Sequence, residues 1–237
     1  MSPSHPSVAP AQGNLKGTPA AALWDFDGTL ADTEPLWIAA EYDLVDRLGG
    51  TWSQFHAEQL VGNALIDSGT YILDVTGRHD LAPEWVVQEL VGRVAVALQT
   101  QEIRWRPGAR DLLRSFASAG VPCALVSASY RVLLDAALSQ LPPQTFSATV
   151  AGDEVSHGKP HPEPYLAACR LLGVQAVDCV VIEDSATGAA AGNAAGAFVL
   201  AVPHLVEVPS AARRHRVDSL ADLDATTVAR LLTLGDG

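Results

Sequence analysis

The chain has 237 residues, of which 48% are hydrophobic and 18% charged, and a formal net charge of −12. That length suits one large domain or a domain carrying an insert, and the balance is that of an ordinary globule. The negative field disfavours nucleic acid and anionic membrane surfaces as partners, and no stretch is apolar enough to span a bilayer.

Residues 1–19 are rich in Pro, Ser, Gly and Ala, with no apolar run of signal-peptide length, and read as a flexible tail. Ala22, Leu23 and Trp24 then form a short apolar strand that runs straight into Asp25-Phe26-Asp27-Gly28-Thr29-Leu30. Residues i and i+2 of an extended segment share one side, so Asp25 and Asp27 present two carboxylates to one spot. Like charges that close need a cation or a proton, which makes the pair a candidate metal and proton-transfer site. From Pro35 the pattern changes. Leu36, Ile38, Ala39, Tyr42, Leu44, Val45 and Leu48 recur at helical spacing until Gly49-Gly50 ends the run. Further helices are expected over 67–75 and 84–98, the second opened by Pro83. With no convincing strand in it, 35–101 reads as an all-helical insert between core segments 20–34 and 102–237.

After Arg106 helix and strand alternate. Helices are expected over 109–119, 132–141, 164–172 and 186–195, and strands over 121–126, 149–151, 179–182 and 198–202. Such alternation implies an α/β fold, a Rossmann-like parallel sheet with helices on both faces, in which ligands sit at the carboxyl ends of the strands.

Three further chemical segments each follow a strand. In Ser127-Ala128-Ser129 a small hydroxyl and the N–H groups of a helix start suit a phosphate oxygen, although serine also caps helices. Lys159 stands in Gly158-Lys159-Pro160-His161-Pro162, and the chain has one other lysine, Lys16. A single lysine in a proline-rich turn solubilises poorly and serves well as a fixed cation. His157 and His161 beside it read as loop residues. In Val181-Ile182-Glu183-Asp184-Ser185 two adjacent acids leave a strand on opposite sides, so one of them is a candidate direct ligand. The three cysteines, Cys123, Cys169 and Cys179, read as buried free thiols of a reducing, cytoplasmic compartment, and no pair has metal-ligand spacing.

The run Asp25 to Glu34, D-F-D-G-T-L-A-D-T-E, resembles the first motif of the haloacid dehalogenase (HAD) superfamily, in the branch that includes β-phosphoglucomutase and phosphoglycolate phosphatase. The likeness extends from about Ala20 to about Val202. It implies a Mg2+-dependent phosphatase in which Asp25 is the nucleophile and forms an aspartyl-phosphate, while Asp27 is the general acid and base. It further implies that Ser127, Ala128 and Lys159 hold the phosphate. Asp25, Asp27 (through its carbonyl) and Asp184 would hold the metal, with Glu183 in support. Residues 35–101 become a cap domain that swings on linkers near Thr33–Leu36 and Thr100–Arg106, with Trp37, Val61, Asn63 and Leu65 facing the substrate. The mutases place a His twelve residues after the nucleophile, where this chain has Trp37. Their cap Lys and Arg positions are Val61 and Leu65 here, and no Lys or Arg lies between Ala57 and Gly77. Such a face covers an apolar, aromatic or uncharged sugar portion rather than a second phosphate. The expectation is a phosphomonoester phosphatase for a small phosphorylated substrate, a sugar phosphate or an aromatic conjugate bearing one, working as a monomer or weak dimer. The alternatives are a sugar phosphate mutase and a non-catalytic HAD-like binding protein.

Overall fold

The computed structural model describes residues 18–60 and 65–234. All but the last two residues of the expected tail lie outside these, as do the expected cap positions Val61 and Asn63. The sheet is made of β1 (Ala22–Trp24), β2 (Cys123–Val126), β3 (Ala148–Val150), β4 (Val180–Glu183), β5 (Phe198–Ala201) and β6 (Arg214–Arg216). Their order is β3-β2-β1-β4-β5-β6, and every neighbouring pair is parallel. β1, β2, β4 and β5 are buried along their whole length, as continuous apolar runs covered on both faces should be.

The two-residue period of the strands divides the core into two layers. Trp24, Leu125, Ile182 and Leu200 face one layer, with Leu112 and Phe116 of α5 (Ala109–Ser118), Leu133 and Leu134 of α6 (Arg131–Leu138) and Val228 of α9 (Ala225–Leu234). Leu23, Val126, Val181 and Val199 face the other, with Tyr165 and Ala168 of α7 (Glu163–Leu172) and Ala189 of α8 (Ala186–Ala194).

Between β1 and β2 come α1 (Glu34–Arg47), α2 (Gln54–Leu60), α3 (Leu65–Thr76) and α4 (Pro83–Thr100), with no strand among the described residues of 35–101. α1 and α3 both pack on α4, and α4 packs in turn on α6. The two chain crossings that join these helices to the sheet are pinned to each other. Asp32 N–H donates to Arg104 O at 2.8 Å, Arg106 N–H donates to Leu30 O at 3.0 Å, and Ala31 pairs with Trp105 as an antiparallel bridge. Besides two three-residue 3-10 turns, three elements go beyond the sequence expectation: the seven-residue α2, the Arg-His-Arg edge strand β6 and the C-terminal α9. No described helix is long and apolar enough to cross a membrane.

Candidate active site

The strand register builds the centre of the site. Trp24 is level with Leu125 on β2 and with Ile182 on β4. One residue further on, Asp25, Val126 and Glu183 therefore stand side by side on three adjacent strands at their carboxyl ends. The Lys159 ammonium, brought in by the loop that follows β3, touches all three. Its Nζ lies 2.7 Å from Asp25 Oδ1, 2.6 Å from Glu183 Oε1 and 2.9 Å from Val126 O, so each of its three protons has an acceptor. The side chain is only 5% exposed. Burial pushes the Lys159 pKa down, but the Asp25 and Glu183 carboxylates overcome that and hold it above the usual lysine range.

Glu183 is committed on both oxygens. Tyr165 Oη donates to Oε1 at 2.7 Å, and the Tyr165 ring lies 5.0 Å below the Lys159 ammonium, within reach of a cation–π contact. Oε2 accepts from the Ser185 hydroxyl at 3.0 Å. That hydroxyl also caps α8 by accepting the Gly188 N–H at 3.0 Å. A Cβ at Gly188 would sit 1.7 Å from Glu183 Oε1, so the first turn of α8 closes on the carboxylate only because it carries a glycine. Glu183, expected in support of a metal, holds the lysine and lies in the same carboxylate cluster as Asp25 and Asp184.

Asp27 has a separate cradle of three hydroxyls. Thr33 Oγ1 donates to Oδ1 at 2.7 Å, while Ser127 Oγ and Ser129 Oγ donate to Oδ2 at 3.1 and 2.7 Å. Thr33 is the N-cap residue of α1, yet its hydroxyl serves Asp27 and caps no helical N–H. Ser127 Oγ also accepts the Ser129 N–H at 2.9 Å, which ties off the loop. Ala128 lies exposed between the two serines.

Asp184 follows β4 and faces the turn after β1. Thr29 Oγ1 donates to its Oδ1 at 3.1 Å. Gly28 has φ of +83°, and a Cβ there would lie 2.2 Å from Asp184 Oδ2. Burial, then Glu183, push the Asp184 carboxyl up to about 7, against the opposing effects of Thr29 and Lys159. Burial chiefly, then Glu183, raise the Asp25 carboxyl well above its usual value, with Lys159 opposing. Asp25 Oδ2 is buried and has no hydrogen-bond partner. Asp25, Glu183 and Asp184 each offer an oxygen within 4.8 Å of the others. An oxygen-only donor set with one orphaned acceptor and two carboxyls held against ionisation fits a hard divalent cation such as Mg2+.

The structure therefore brings Asp25, Asp27, Ser127, Lys159, Glu183 and Asp184 together from loops after β1, β2, β3 and β4. Of the expected cap face, Trp37 and Leu65 are half-buried against the larger apolar cluster. A cavity of about 240 Å³ opens between the linkers, lined in part by Thr33, Leu36, Leu98 and Ile103. A larger one, about 380 Å³, lies away from the carboxylates between α5 and the loop after α6. Sequence reasoning misses Thr29, Thr33 and Tyr165. Thr33 lies within the same motif run as Asp27, so its place is a weak signal. Tyr165 has none, because one tyrosine among the apolar residues of α7 reads as core.

A family model described as haloacid dehalogenase-like hydrolase matches residues 19–196. Hexitol phosphatase A of Escherichia coli K12 is 32% identical over 219 residues, 88% of this chain and 93% of the relative. The bifunctional riboflavin kinase/FMN phosphatase of Arabidopsis thaliana is 34% identical over 196 residues, 81% of this chain, which spans half the length of that relative. Among solved structures, CbbY from Rhodobacter sphaeroides in complex with phosphate superimposes with a TM-score of 0.72 at 27% identity, covering 86% of this chain and 96% of the other.

Proposed function

The chain belongs to the haloacid dehalogenase-like hydrolases and is a phosphatase; we propose that it hydrolyses a phosphomonoester of a small, otherwise uncharged sugar or polyol through an aspartyl-phosphate on Asp25. What carries the reading is the Asp25 carboxylate, with one oxygen held by Lys159 and the other buried without a hydrogen bond. The Asp25 carboxylate attacks phosphorus as the bond to the leaving oxygen breaks, and Asp27 gives that oxygen its proton. Asp27 then takes a proton from water as the water attacks the acyl phosphate, releasing phosphate and restoring Asp25. Ser127, Ser129 and Thr33 aim the Asp27 carboxylate for both transfers. Lys159 offsets negative charge on Asp25 and on the incoming phosphoryl oxygens. Asp25 and Asp184, with the Asp27 carbonyl, would hold Mg2+, which when bound supplies further charge compensation for the transferring group.

Two observations support an uncharged remainder on the leaving side. No Lys or Arg lies between Ala57 and Gly77 to take a second phosphate. The relatives bear the names hexitol phosphatase and FMN phosphatase, and in both compounds the phosphate ester sits on a polyol chain. The buried free thiols Cys123, Cys169 and Cys179 agree with a cytoplasmic setting.

The test is phosphate release from hexitol phosphates, FMN and p-nitrophenyl phosphate, with Mg2+ or with chelator, by the parent and by Asp25→Asn. The parent should turn over only with Mg2+, and the variant should be slower by about 10⁴-fold or more. Equal rates for the two proteins would overturn the reading. So would conversion of β-glucose 1-phosphate to glucose 6-phosphate without free phosphate.

A further inference from the structure

The loop that delivers Lys159 also carries three residues that the phosphatase chemistry leaves unused. His157 and His161 flank the lysine, and Glu163 opens α7. His157 Nδ1 lies 2.9 Å from Glu163 Oε2, and His161 Nδ1 lies 3.9 Å from the same oxygen. The imidazoles face each other with centroids 4.7 Å apart and planes inclined by 37°. One ligand atom from each of the three residues lies within 4.8 Å of the other two.

Ordinary loop packing explains only part of this arrangement. Glu163 accepts the backbone N–H groups of Ser156 and His157 at 2.9 and 3.0 Å, which accounts for the glutamate as a clasp on the loop. His161 Nδ1 caps the Glu163 N–H, and neither bond requires that ligand atoms of two imidazoles and a carboxylate converge within 4.8 Å. His161 Nδ1 accepts the Glu163 N–H at 3.2 Å, so that nitrogen is unprotonated, and a cation there would take its lone pair from the N–H. The short contact between His157 Nδ1 and a carboxylate oxygen holds a proton that a cation would displace. The side chains of His157, His161 and Glu163 are 67%, 51% and 25% exposed, which gives an ion direct entry from solvent and leaves the rings free to close on it.

We propose that His157, His161 and Glu163 form a Zn2+ site on the Lys159 loop, separate from the buried carboxylate cluster. Two imidazoles and a carboxylate are a borderline donor set that Zn2+ takes in three-ligand form, with a fourth position left to water. The buried cluster offers oxygen only, which suits Mg2+, so the two sites sort cations by ligand type. Bound zinc would link residues 157, 161 and 163 into a clamp around the turn that carries Lys159. Nothing in this inference depends on the phosphatase reading.

The test is a Zn2+ titration of the full chain in excess Mg2+, against a chromophoric chelator, for the parent, His157→Ala, His161→Ala, the double variant and Asp184→Asn. The parent and Asp184→Asn should each bind one equivalent with the same affinity. Each single histidine variant should bind at least ~10-fold more weakly, and the double variant should lose the site. Because these histidines are exposed, circular dichroism should find the variants folded. Equal Zn2+ binding by the parent and the double variant, or loss of binding in Asp184→Asn, would overturn the proposal.

Discussion

At the scale of single residues, Gly28 sets the clearance around the carboxylates. Its φ of +83° is strained for any other residue, and an added Cβ would fall 2.2 Å from Asp184 Oδ2. Gly28→Ala should therefore displace Asp184, raising the Mg2+ concentration needed for half-maximal phosphatase activity and lowering the maximal rate. The backbone strain alone costs about 1–3 kcal/mol, which a denaturant melt would measure. A variant with unchanged Mg2+ dependence would mean that Asp184 does not work with the ion. The residues legible in the sequence are those whose chemistry is rare in it. Asp25 and Asp27 end an apolar strand, and Lys159 is one of two lysines. Tyr165 and Thr29 were not legible, since their partners Glu183 and Asp184 come from distant segments and meet them only once β4 pairs with β1 and α7 packs on the sheet.

At the scale of elements, α1 buries an acid. Glu41 is 6% exposed, and Trp52 Nε1 donates to its Oε2 at 3.3 Å. Burial pushes its carboxyl up from 4.5 to about 7, the indole opposing and Glu34 adding to the rise. The folded chain thus holds this proton more tightly than the unfolded chain does. Its contribution to stability is fully present below pH 4.5 and is lost as the pH rises to about 7. Glu41→Gln keeps an acceptor for Trp52 and removes the charge. It should gain on the order of 1–2 kcal/mol at pH 8 and clearly less at pH 5.5, as read from urea melts at both values. An equal gain at the two values would show that the charge is not the cause. The central strands were legible because a covered parallel sheet leaves continuous apolar runs such as Val180–Ile182. β6 was not, because Arg-His-Arg carries no apolar signal, and its charges suit an edge that must stay unpaired. The expected elements end at residue 202, although Val228, Leu231 and Leu232 of α9 recur at helical spacing. α2 is too short, at seven residues, for a period to declare itself.

At the scale of the whole molecule, a chain of net charge −12 sets Asp25, Asp27, Glu183 and Asp184 along the carboxyl edge of its sheet, with one ammonium between Asp25 and Glu183. The order β3-β2-β1-β4-β5-β6 puts β1 at the centre, where the chain changes direction across the sheet and a crevice opens above the strand ends. That arrangement is costly without a cation. The Asp184 carboxyl, held near 7 against an ordinary 3.8, makes the metal-free fold lose stability as the pH rises between those values. Mg2+ needs the ionised carboxylate, so its affinity should fall as the pH drops below 7. An ion that binds only the folded chain adds about 2.7 kcal/mol at a hundredfold excess over its dissociation constant. Saturating Mg2+ should therefore raise the melting temperature more at pH 8 than at pH 6, and Asp184→Asn should lose most of the rise. If the variant gains as much as the parent, the ion is acting on the acidic surface at large, and the crevice is not where it binds.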